Sequence, residues 1–72
     1  MKELEIKKIF EKTEFEDQYA HLVGIETGGF GVICKLKGQV KVCFSHAFGQ
    51  ALSTYFRCAQ EVIGGPGFAF YN

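Results

Sequence analysis

The chain has 72 residues, 47% of them apolar, with eight Phe, three Tyr and no Trp; such a chain builds one core, buries only about 60% of its unfolded surface, and gains from association with a second copy. Its formal net charge is zero, which excludes a nucleic-acid binder that works through bulk positive charge. No apolar run approaches the ~20 residues of a membrane-spanning helix.

The charge is nevertheless divided along the chain. Residues 1–27 carry four Lys against seven acids, a balance of −3, and residues 28–72 carry Lys35, Lys37, Lys41 and Arg57 against Glu61, a balance of +3. Three Cys at irregular spacing, with no apolar leader segment before them, predict a cytoplasmic protein without structural disulfides.

The first element, Leu4 to Phe10, reads as a strand through Leu4, Ile6 and Phe10 and equally as a helical turn through Ile6, Ile9 and Phe10, with Thr13 and Glu16 imitating a capping box. Glu14, Glu16 and Asp17 then read as a solvated turn and not as a general acid/base couple. Tyr19 to Glu26 alternates with Tyr19, His21, Val23 and Ile25 on one side, and so reads as a strand ending at Gly28 and Gly29. Gly28, Gly29, Phe30 and Gly31 resemble the end of a protein-kinase glycine-rich loop. The first glycine of that pattern would fall at Glu26, and 72 residues hold no room for the remaining parts of a kinase site, so a turn is the reading.

Phe30 to Phe44 reads as a β-hairpin about Lys37, Gly38 and Gln39. A three-residue loop pairs Leu36 with Val40, Cys34 with Val42 and Val32 with Phe44, and so collects all six apolar side chains on one face. Ile33, Lys35, Lys37, Gln39, Lys41 and Cys43 then point to the other. A helix follows from His46 to Ile63, with Ser45 as N-cap and Gly64, Gly65 and Pro66 as the stop. Its stripe is Phe48, Leu52, Tyr55, Ala59 and Val62, facing the hairpin's apolar set, and Gln50, Ser53, Thr54, Arg57, Gln60 and Glu61 lie opposite. Phe68 to Tyr71 makes a short last strand. The sum is β-β-β-β-α-β over residues 1–72 as a single domain: an α+β fold with a four- to five-stranded antiparallel sheet and one helix packed on one face.

Chemistry-bearing clusters are sparse. Gly64 to Gly67 follows a helix C-terminus, the wrong pole for an anion. Cys43, His46, Cys58 and His21 are zinc-compatible residue types without a Cys-x-x-Cys pair, and Cys43 beside His46 lacks the third group of a nucleophilic centre, so neither a metal, a cofactor nor catalysis is expected. The expected site is a surface. The helix covers one sheet face only, and the other presents Ile33 with Lys35, Lys37 and Lys41, with Gln50 and Arg57 on the polar helix face as a second candidate. A non-enzymatic module that docks on a larger protein or ribonucleoprotein complex follows, of the size class of phage-encoded inhibitors such as anti-CRISPR proteins, toxin neutralisers and regulatory subunits. A nucleic-acid-binding module using the three-lysine face is the alternative, short of the stacking aromatics that RNA-reading sheets carry.

Overall fold

A computed structural model describes residues 5–64, which form a two-layer α+β structure. Strands β1 (Ile6–Phe15), β2 (Gln18–Ile25), β3 (Phe30–Leu36) and β4 (Gln39–Ser45) make one sheet in the order β1-β2-β3-β4, every neighbouring pair antiparallel, and helix α1 (Phe48–Ile63) packs on one face. Among the described residues no helix is long and apolar enough to cross a membrane. The expected last strand, Phe68 to Tyr71, lies outside the described residues.

The ambiguous first segment is a strand. Its ten residues run from Ile6 to Phe15 with Thr13 inside the ladder opposite Ala20, and the capping-box resemblance has no helix to cap. Glu16 turns the chain into β2 in a left-handed conformation, φ 56°.

The strands bury the side opposite to the one their apolar residues suggest in β2. Ala20 and Leu22 face α1 and join Val32, Ala51, Tyr55, Cys58, Ala59 and Val62 in the core, with Cys34, Leu36 and Leu52 packed at its margin. Val23, also fully buried, stands on the other face, where the missing side chain of Gly31 leaves room for it: a Cβ built there would lie 3.5 Å from Val23 Cγ2 and 3.2 Å from Ile25 Cδ1. The α1 stripe is rotated slightly from the expected one, because Ala51 and Cys58 are buried whereas Phe48 is exposed.

Phe48 instead joins a ring cluster at the helix N-terminus. Its ring lies 5.2 Å from that of Phe30 and 5.7 Å from that of Phe10, and Phe10 and Phe30 are 5.8 Å apart. Edge-to-face rings at such distances add to the stabilisation given by burial alone. Helix α1 begins two residues later than expected. Ala47 is the N-cap without a side-chain bond, because the Ser45 hydroxyl is engaged two residues earlier, accepting from the Ala47 N–H at 3.1 Å. The C-terminus stops as expected at Gly64, whose N–H reaches the Gln60 carbonyl at φ 149°.

Two further expectations fail. First, Cys34 and Cys58 form a disulfide, 24 residues apart in sequence with Cα atoms 6.1 Å apart, within the span such a bond needs. Packing α1 on β3 brings together two cysteines whose linear spacing carries no pairing signal; Cys43 stays free and exposed. Second, the hairpin has a two-residue loop. Leu36 pairs with Gln39, Cys34 with Lys41, Ile33 with Val42, Val32 with Cys43 and Gly31 with Phe44. The cause is Lys37-Gly38, both with positive φ, 54° and 84°, the conformation of a type I′ turn, whose twist matches that of the strands it joins. A one-residue difference in loop length moves the whole of β4 to the other face.

Candidate docking surface

The register determines what each face offers. With Val32, Cys34 and Leu36 turned to the helix, their β4 partners Cys43, Lys41 and Gln39 share that face, and Val40, Val42 and Phe44 stand on the helix-free side beside Lys35, Ile33 and Gly31. All three remain exposed, at 53%, 38% and 63%. Across the sheet they continue through Val23 to Ile9 and through Ile25 to Ile6, and Ile6 and Ile9 are exposed as well. The helix-free face is therefore an apolar field bounded on one corner by polar groups.

That corner is Lys12, Glu14, Tyr19, His21 and Lys35. Glu14 Oε2 lies 3.2 Å from His21 Nε2 and 3.9 Å from Lys12 Nζ, and the Tyr19 and His21 rings stack at 4.6 Å. Exposed pairs of this kind contribute little to stability, but they mark where the apolar field ends.

The expected three-lysine patch does not form. Lys35 is on the helix-free face, Lys41 is opposite Cys34 on the helix side, and Lys37 sits in the turn between the two strands. Ile33 keeps its expected face, with Val42 as its neighbour in place of lysines. Lys37 and Lys41 instead line a groove of about 670 Å³ between α1 and β4, together with Arg57, Thr54, Cys43 and the Cys34–Cys58 disulfide. The groove exists because α1 lies chiefly over β2 and β3 and leaves the helix side of β4 uncovered. Gln18 closes one end, donating from Nε2 to the Val62 carbonyl at 3.3 Å and accepting at Oε1 from the Lys37 N–H at 3.2 Å. Gln50 stands apart at the helix start, accepting a hydrogen bond from Ser45 Oγ.

The alternating pattern alone puts Val40, Val42 and Phe44 in the core, and the signal for their true position is the Lys37-Gly38 dipeptide, a variant of the Asn-Gly that favours two-residue loops. Among the described residues no three His, Cys, Asp or Glu side chains are placed to hold a metal ion. No protein-family model, curated protein or solved structure matches the chain.

Proposed function

We propose that the chain is a non-enzymatic interaction module that docks on a larger protein through the helix-free face of its sheet. The observation that carries this reading is the exposed row Val40, Val42 and Phe44 on an edge strand, continuous with Ile33, Ile9 and Ile6. A contiguous apolar field with a charged border is the composition of a protein-binding surface, the apolar centre supplying affinity and the Lys12, Glu14 and Lys35 rim supplying orientation. Inhibitors and small regulatory subunits act in this way, by covering a partner's surface.

The test uses Phe44→Ser and the double variant Val40→Ser, Phe44→Ser against the partner that copurifies from the native host. Loss of binding with an unchanged circular dichroism spectrum, together with hydrogen-exchange protection of residues 39–45 in the wild-type complex, supports the docking face. Full binding by the double variant refutes it.

A second reading rests on the groove, which Lys37, Lys41 and Arg57 line against the single acid Glu61. Binding there would be to an anionic strand, and it would show as an affinity for random oligonucleotides that falls steeply with salt and weakens in Lys41→Glu. The compartment is tested by thiol count. A cytoplasmic protein keeps Cys34 and Cys58 reduced, giving three free thiols in protein taken from its own cell under alkylation; an oxidising compartment gives one.

A further inference from the structure

The two edges of the sheet are not alike. β1 is guarded in the ways edge strands usually are: it breaks register with β2 between Ile6 and Lys8 and again between Ile9 and Glu11, and it carries Lys7, Lys8, Glu11, Lys12 and Glu14. β4 has seven residues in unbroken register with β3, no proline, and one charged side chain, Lys41.

The hydrogen-bonding direction of that edge follows from its turn. In a two-residue hairpin the flanking pair, Leu36 with Gln39, is the hydrogen-bonded one, and bonded and non-bonded pairs alternate from there. Val40, Val42 and Phe44 thus aim their backbone N–H and C=O groups away from β3. Among the described residues, those whose backbone groups find no partner strand on this edge are also those with exposed apolar side chains.

We infer that β4 pairs antiparallel with β4 of a second copy, about a two-fold axis through Val42, so that two sheets become one of eight strands. The choice of a second copy rests on self-complementarity. Centring on Val42 opposes Val42 with itself, Val40 with Phe44, Lys41 with Cys43 and Gln39 with Ser45, so every apolar residue meets an apolar one and no like charges are opposed. Centring on Lys41 instead would oppose two ammonium groups. The outward groups of Val40, Val42 and Phe44 supply about six backbone hydrogen bonds. An edge of seven residues, about 23 Å long, buries on the order of 1,000 Å² in total when so paired, at the lower limit for a specific interface, which corresponds to a reversible dimer. The pairing also joins two helix-free apolar fields into one platform, and in this respect it builds on the docking reading while using a different set of atoms.

The experiment is sedimentation equilibrium of the wild type and of Val42→Lys, with thiol crosslinking of Val42→Cys and Val40→Cys in a Cys43→Ser background by a short bismaleimide. The expected result is a wild-type dimer, a dissociation constant raised about tenfold or more in Val42→Lys, efficient crosslinking at position 42, where the two Cα atoms are about 5.5 Å apart, and little at position 40, whose copies lie roughly four residues apart along the strands. A wild type that stays monomeric at about 1 mM, or equal crosslinking at both positions, overturns the proposal. A monomer that still binds the copurifying partner through Phe44 overturns the dimer and keeps the docking reading. A dimer crosslinked at 42, with partner binding indifferent to Phe44→Ser, keeps the dimer and removes the docking reading.

Discussion

Leu22 and Phe44 show how little residue type alone decides. Leu22 is fully buried beneath the helix stripe, and Leu22→Ala should cost about 2–5 kcal/mol, a large share of a small domain's stability. Phe44, the larger side chain, is 63% exposed, and Phe44→Ser should change the stability of the monomer by less than about 1 kcal/mol. Urea titration of the two variants at a concentration below dimer formation checks both; a Phe44→Ser cost equal to that of Leu22→Ala would place Phe44 in the core after all. The disulfide acts mainly on the unfolded chain. Closing 24 residues of sequence separation restricts that chain by about 3–4 kcal/mol, so adding a reductant should lower the melting temperature by about 15–25 °C, and the Cys34→Ala, Cys58→Ala double variant should melt near the reduced wild type whether or not reductant is present. Equal melting of the oxidised and reduced wild type would show that the bond is not closed in solution. Nothing in the positions of Cys34, Cys43 and Cys58 along the chain tells which two pair, since the pairing is made by the way α1 lies on β3.

At the scale of elements, periodicity was a good guide to what each segment is and a poor guide to how the segments join. The four strands and α1 follow from alternation and from the 3.6-residue stripe, and the Gly64 stop follows from its freedom to adopt positive φ. The hairpin register does not follow, because the argument for it required Val40, Val42 and Phe44 to be buried within one chain. The turn chemistry points the other way and prevails: Lys37 and Gly38 together adopt the left-handed conformation that a two-residue loop demands. Lysine is strained in that position and asparagine is not. Lys37→Asn should therefore stabilise the protein by about 0.5–1 kcal/mol, read as a rise in melting temperature of about 3–8 °C. A lower melting temperature would indicate that the loop is not of this type in solution. The candidate site follows the same rule: alternation alone puts Ile33 and Lys35 on the helix-free face, whereas the apolar field beside them depends on the register of β4.

For the molecule as a whole, the division of charge along the chain does not become a division in space as simply as the sequence suggests. Lys35 and Lys41 belong to adjacent strands and yet to opposite faces. Charge reversals at the two positions should act on different surfaces: Lys35→Glu on the rim of the docking face, through the association rate, and Lys41→Glu on the groove. Their combined effect on partner binding should equal the sum of the separate effects within about 0.5 kcal/mol. A strong coupling in the double-mutant cycle would mean that one ligand spans both sides of β4.

The strand order carries a consequence for how the chain reaches this structure. Among the described residues each strand pairs only with its neighbours along the chain, so this sheet can zip up one turn after another without a long loop having to close first, on the microsecond scale of hairpins. The return of α1 to β1 is different: the hydrogen bond between Thr13 and Tyr55 spans 42 residues, and the loop entropy for that contact must be met before its reward arrives. Docking of the helix is thus the slow encounter, and Cys34 and Cys58 come within reach of each other only after it. Oxidation should lock a fold already formed, and because the closed bond then holds α1 near β3 even in the unfolded chain, the oxidised protein should refold faster than the reduced one, by up to the factor of about 10²–10³ that 3–4 kcal/mol of loop-closure entropy represents.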